Sequence, residues 1–202
     1  MSMIFTHRRT WSPASPGIPF KTKGIRYENK VYAQFILVLD SIFEDLILRM
    51  EGKDQKLMTE AMFWAGRRER CPAELREYLQ DKGAGREAIA DITQVLIREG
   101  YIDPARYAGA FVRDKFRFNR WGRIRLSLEL RQREIPADTI TGALGSIPEE
   151  EYLQVLEELL LQRRKALKDK DTPSLLHKMA TFAIRRGFEP ALVWERARSI
   201  LS

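Results

Sequence analysis

From about residue 59 onward, apolar side chains recur at spacings of three and four. Leu75, Tyr78 and Leu79 form one set; Ile89, Ile92, Val95 and Leu96 the next; then Tyr107, Ala108, Phe111 and Val112; then Leu126 and Leu130; then Leu153, Leu156 and Leu160. That is the period of one buried helical face. The pattern predicts nine helices: 59–69, 72–82, 86–99, 104–118, 121–133, 136–145, 149–168, 173–186 and 190–201. No alternating run longer than four or five residues interrupts them, so the expected class is all-α. Pro72, Pro104, Pro136, Pro148, Pro173 and Pro190 each precede an amphipathic run and interrupt none. Proline at a helix start loses no hydrogen bond, because that N–H is unsatisfied anyway. Asp103 and Thr172 are placed to cap first-turn N–H groups. Cys71-Pro72-Ala73-Glu74 has capping-box spacing. Gly83, Gly100 and Gly187 follow charged last turns, where a left-handed residue closes a helix.

The helices fall into a repeat. A shift of 51 residues carries Leu75, Leu79, Lys82 and Ile89 onto Leu126, Leu130, Arg133 and Ile140. A shift of 104 carries them onto Met179, Ala183, Arg186 and Val193. Each copy reads as a helix, a turn with a basic residue and a second helix, preceded by one further helix. The unit is three helices used three times, at about 59–99, 104–145 and 149–201. Stacked units of this kind predict an elongated, curved array over 58–202 with an N-terminal appendage at 1–57. The appendage shows no trace of the repeat. Pro13, Pro16 and Pro19 lie in its Ser/Gly-rich start, which reads as disordered. Met50 and Met58 both precede the first clear repeat and are candidate translation starts beside Met1.

Val31–Met50 is the most apolar stretch, and Asp40, Glu44 and Asp45 interrupt it. Carboxylates at those depths cost about 2.5–3.5 kcal/mol each in a membrane span, so an amphipathic helix is expected there and no membrane association. The start of the chain lacks a continuous apolar core of the signal-peptide type. Cys71 is the sole cysteine of the 202 residues, which suits a reducing cytoplasm.

Catalysis needs convergent groups, and none stands out. His7 and His177 have no metal-ligand partner at helical spacing. No phosphate-cradling G-x-x-x-x-G-K-[ST] segment occurs, and Gly83-Ala84-Gly85 follows a helix where a dinucleotide fingerprint would follow a strand. The expectation is a protein without enzymatic activity, metal, cofactor or small-molecule substrate.

Charge is more informative. Thirty-five Lys and Arg against 28 Asp and Glu leave a net +7. Residues 103–134 hold nine cations and four acids, a local +5, whereas 58–202 as a whole carries 26 cations and 22 acids. One helix pair thus holds all of the repeat region's excess charge. Eight of its nine cations are arginine, whose planar fork pairs with phosphate or carboxylate at two points. The expected interface residues are Arg113, Lys115, Arg117, Arg120, Arg123, Arg125, Arg131 and Arg133. They suit a phosphate backbone. The competing reading is a solvated face in ion pairs with neighbouring repeats, for which Glu157 and Glu158 are available. Of the interleaved aromatics, Tyr107 and Phe111 read as core, and Phe118 and Trp121 as packing at a repeat interface, with base stacking the other use.

Five separated segments resemble the RecX recombination regulators, in the form found in Bacteroides-type bacteria. They are Arg67-Arg68-Glu69-Arg70-Cys71-Pro72-Ala73-Glu74-Leu75, Glu99-Gly100-Tyr101-Ile102-Asp103, Arg106-Tyr107-Ala108-Gly109-Ala110-Phe111-Val112-Arg113-Asp114, Trp121-Gly122-Arg123-Ile124-Arg125-Leu126 and Arg185-Arg186-Gly187-Phe188. Together they span about residues 59–201. The resemblance implies a cytoplasmic regulatory protein of DNA repair, recombination and the SOS response. It implies binding to the RecA–single-stranded DNA filament, with inhibition of its recombinase, ATPase and coprotease activities. The residues themselves leave open a stand-alone nucleic-acid binder or transcription regulator, and whether the arginines face DNA or recombinase. Two positions depart from the family. Cys71 stands where Ser is common, and Glu134 replaces the usual Gly before Ile135, which implies a tighter turn or one without a left-handed residue.

Overall fold

The computed structural model describes residues 52–167 and 171–201. The appendage, including the helix expected at 31–50 and Met50, lies outside the described residues apart from 52–57. Among the described residues there are nine helices and no strand. The first unit comprises α1 (Gly52–Ala65), α2 (Pro72–Asp81) and α3 (Arg86–Arg98). The second comprises α4 (Pro104–Asn119), α5 (Arg123–Gln132) and α6 (Ala137–Gly145). The third comprises α7 (Glu149–Ala166), α8 (Thr172–Arg185) and α9 (Pro190–Leu201). No described helix is long and apolar enough to cross a membrane.

The helix starts follow their local chemistry. Asp103 caps α4, accepting from the N–H groups of Ala105 and Arg106 at 3.0 and 2.9 Å. At α2 the Glu74 carboxylate accepts the Cys71 N–H at 3.1 Å, the reciprocal half of a capping box. Several expectations need adjusting. The first helix runs over 52–65 and not 59–69, because Gly66 ends it, donating back to the Met62 carbonyl at 3.0 Å. Met58 is therefore buried in the middle of a helix. The α8 cap is Asp171 and not Thr172; its side chain accepts from Ser174 N–H at 3.0 Å. Pro136 and Pro148 are cap residues, one position before the first helical residue.

Gly83, Gly100 and Gly187 adopt left-handed backbone (φ +76, +72 and +90°), as expected of helix stops. Glu134 does so too, with φ +59°, although it carries a side chain. The second turn thus keeps the geometry of its two counterparts, against the expectation of a tighter one. A non-glycine residue there costs about 1–2 kcal/mol. Glu134 also reaches Arg76 of the first unit at 2.5 Å. Lys82, Arg133 and Arg186, the basic repeat slot, are the three C-cap residues just before these left-handed positions.

The apolar slots Leu75, Leu126 and Met179, and Leu79, Leu130 and Ala183, are all fully buried. They do not share one core. The first unit packs around Ala61, Leu75, Leu79, Ile92, Leu96 and Ile102. The second and third share a continuous core that includes Val112, Leu130, Tyr152, Leu156, Met179 and Phe188. Cys71 and Ala73, at the tip of α2, belong to this second core and not to their own unit's.

Neighbouring units meet in the same way twice. The start of one unit's second helix bonds to the basic turn of the next. Ala73 N–H donates to the Arg133 carbonyl at 3.4 Å; Gly122 N–H donates to the Arg186 carbonyl at 2.8 Å, and Ile124 N–H to that of Gly187 at 3.0 Å. The second junction is closer because two glycines meet there. A Cβ on Gly122 would sit 2.2 Å from the Gly187 oxygen, and one on Gly187 would sit 2.5 Å from the Arg125 nitrogen.

Candidate interface on the second and third units

Helices α4 and α5, the turn between them and the α5 C-cap carry all eight expected interface residues, and the structure sorts them by partner. Arg117, Arg120 and Arg123 face acids of α7. Arg123 reaches Glu149 at 2.7 Å, Arg120 reaches Glu158 at 3.1 Å, and Arg117 approaches Glu151 at 3.8 Å. Burial disfavours the Arg123 cation, but the Glu149 hydrogen bond and the nearby Tyr152 and Glu189 outweigh it and raise its pKa. Arg133 pairs with Glu129 at 2.8 Å, and its guanidinium lies over the Phe111 ring at 4.7 Å. These four arginines bind within the protein: Arg117, Arg120 and Arg123 pair with the neighbouring unit, and Arg133 pairs within its own. Glu158 takes part as expected; Glu157 pairs with no cation among the described residues.

The other four have no acidic partner among the described residues. Arg113 and Arg131 are exposed. Lys115 lies over Phe111 and Trp121 at 5.8 and 5.5 Å. Arg125 stacks on Trp121 at 4.0 Å. Tyr107, Phe111 and Trp121 are half-buried against the shared core, ring to ring at 6.2 Å. Phe118 departs from expectation: it packs into no interface and is 82% exposed.

Arg125 leads to residues that charge counting did not connect with the stripe. A cleft of about 670 Å³ opens between the α4–α5 turn and α8, lined by Phe118, Asn119, Trp121, Arg125, Phe182, Arg185 and Arg186. A smaller one of about 240 Å³ adjoins it, lined by Arg163, His177, Lys178, Thr181, Phe182 and Arg185. Phe182 and Arg185 line both. Among the described residues no carboxylate lines either. Arg186 is held in place: it donates to the Asn119 carbonyl at 2.8 Å and lies over Phe182 at 4.9 Å. Arg163 covers the same ring at 5.0 Å. The signal for these residues was present in the Arg185-Arg186-Gly187-Phe188 segment, but only the junction of Gly122 with Arg186 brings it beside Arg125. Among the described residues no group of three or more His, Cys, Asp or Glu is arranged to hold a metal.

Comparison with known proteins agrees with this architecture. Residues 103–144, the second unit, match the family description "RecX, second three-helix domain". The chain is 26% identical over 152 residues to the regulatory protein RecX of Oceanobacillus iheyensis, covering 74% of this chain and 56% of that one. It is 27% identical over 127 residues to that of Amycolatopsis mediterranei, covering 63% and 73%. The Geobacillus kaustophilus protein is 23% identical over 151 residues, 75% of this chain and 55% of its own length. The chain thus spans little more than half the length of the Oceanobacillus and Geobacillus relatives. In fold it resembles a crystal structure of regulatory protein RecX, with TM-score 0.66, 18% identity and coverage of 89% of this chain and 81% of that one. It also resembles RecX from Lactobacillus salivarius, with TM-score 0.65, 16% identity and coverage of 73% and 96%. In the match of its second unit, in its regulatory relatives and in its fold, the chain is similar to the RecX regulatory proteins.

Proposed function

We propose that the chain binds a RecA–single-stranded DNA filament in the cytoplasm and restrains its recombinase, ATPase and coprotease activities. One observation carries the reading beyond family likeness. The second and third units together present arginines and aromatics around two adjoining clefts lined, among the described residues, by no carboxylate. Such a surface attracts a polyanion, and its potential adds to that of the exposed cations Arg113 and Arg131 on the same helix pair. A tandem array offers a long face rather than a point of contact, as a filament requires. The role is one of binding, with no chemical step of its own.

The test is the DNA-dependent ATPase of a RecA-type recombinase with this protein added well below the recombinase concentration. Inhibition is expected. No effect at equimolar concentration overturns the proposal. DNA retention with a steep salt dependence, but no effect on the recombinase, favours a stand-alone nucleic-acid binder instead.

A further inference from the structure

The proposed filament reading leaves undecided which component meets the arginines. We infer that the cleft between the α4–α5 turn and α8 binds single-stranded DNA directly, stacking a base on Phe118 with phosphates on Arg125 and Arg185. This rests on the filament reading only for the source of the strand.

Phe118 is the anomaly that points to a base. Phe111 and Trp121 pack against each other, and Phe116 stacks on Tyr152 with centroids 5.9 Å apart. Phe118 alone of the aromatics in this segment has neither ring nor cation upon it among the described residues, and it is 82% exposed. The backbone that carries it is held and not frayed. Arg120 ends the helix in left-handed backbone and donates to the Phe116 carbonyl at 3.1 Å. Trp121 N–H donates to Lys115 at 3.3 Å, and Arg186 clamps the carbonyl of Asn119 at 2.8 Å. An exposed ring on a well-bonded backbone, beside cations, is the arrangement with which proteins hold unpaired bases.

The cations fit the strand's other half. Arg125 is stacked on Trp121 at 4.0 Å, so little side-chain freedom remains to be lost on binding. Neither Arg125 nor Arg185 has an acidic partner among the described residues, in contrast to Arg117, Arg120 and Arg123. The cleft's volume, about 670 Å³, falls within the range of small-molecule sites. An acidic protein segment would satisfy the arginines but give Phe118 nothing to stack on. A duplex hides its base faces. A single strand offers a base face and a phosphate at every nucleotide.

The experiment measures fluorescence anisotropy of a fluorescein-labelled oligothymidylate with the full chain, over a series of salt concentrations. Phe118→Ala is expected to weaken binding about 5- to 150-fold, with Phe118→Trp restoring it, the salt slope unchanged and the melting transition unmoved. The double variant Arg125→Ala/Arg185→Ala should lower the salt slope by about 1.4, the share of two single-strand phosphates. Wild-type failure to bind the oligonucleotide, or equal binding by Phe118→Ala, overturns the inference. If these variants keep oligonucleotide binding and lose inhibition of the recombinase ATPase, the cleft holds recombinase; the single-strand assignment then falls and the filament reading stands. If the wild type binds the oligonucleotide through Phe118 and leaves the ATPase untouched, the opposite holds.

Discussion

The phenol of Tyr152 donates to the Glu189 carboxylate at 2.7 Å while its oxygen accepts the Arg123 N–H at 3.0 Å. One fully buried side chain of α7 thereby satisfies the first turn of α5 in the second unit and the α8–α9 turn in its own. Tyr152→Phe keeps the packing against Phe116 and Phe188 and removes both bonds. The expected loss is about 1–3 kcal/mol, the cost of leaving a buried donor unsatisfied. Urea unfolding would show it as a lower midpoint with an unchanged slope.

The glycine turns make a matched pair of experiments. Gly83 and Gly187 both have positive φ, but a Cβ on Gly83 meets open space, whereas one on Gly187 enters the Arg125 backbone. Gly83→Ala should cost about 1–2 kcal/mol, from the left-handed conformation alone. Gly187→Ala adds overpacking of about 1–3 kcal/mol. Thermal unfolding of the two variants side by side checks the order.

Glu74 links stability to acid. Burial works against its charged form, but the Arg68 hydrogen bond at 2.6 Å and the Cys71 N–H outweigh it, and its pKa is lowered. The unfolded chain therefore binds this proton at higher pH than the folded one. The stabilisation is present above the usual carboxylate pKa of about 4.3 and is lost as pH falls through the lower folded value. Glu74→Gln should flatten that part of the stability profile, seen by comparing unfolding midpoints between neutral pH and about pH 3.

Arg117 and Arg123 look alike in the sequence and should behave differently. Arg123 is mostly buried, pairs with Glu149 at 2.7 Å and lies 4.0 Å over the Tyr152 ring. Arg123→Ala should cost about 1–2 kcal/mol. Arg117 is 59% exposed at 3.8 Å from Glu151, and its replacement should stay within about 0.5 kcal/mol. A double-mutant cycle of Arg123 with Glu149 measures the pairwise part.

Much of the fold was legible because proline, glycine and aspartate act locally. Asp103 and Pro104 mark the start of α4, and the Gly187 stop ends α8, with no help from tertiary structure. Gly66 is less legible because the charged Arg67-Arg68-Glu69-Arg70 run after it reads as a continuing helix. Phe118 shows a different limit. Ala108, Val112 and Phe116 define the buried face of α4, and a residue two positions on points away from it. The pattern thus contained the exposure of Phe118, but its place beside Trp121 at a unit boundary argued for packing. The cleft was the least legible part. Charge was counted over a continuous stretch, and that count could not see Arg185 and Arg186, which arrive beside Arg125 through backbone bonds between units. Nor could it distinguish Arg123, held by an acid of the next unit, from Arg125, held by a ring of its own.

The two junctions also set different evolutionary constraints. Where Cys71 and Ala73 meet Arg133 and Glu134, every partner carries a side chain, and the contact can drift one substitution at a time. Where Gly122 meets Gly187, a methyl group on either residue collides with backbone, so neither position has a neutral first step. Among descendants of this chain, variation should accumulate at the first junction, while the second and third units remain welded by an unchanged glycine pair. Because Phe118 and Arg186 flank that weld, the geometry of the cleft would be inherited with it, even as the side chains lining it vary.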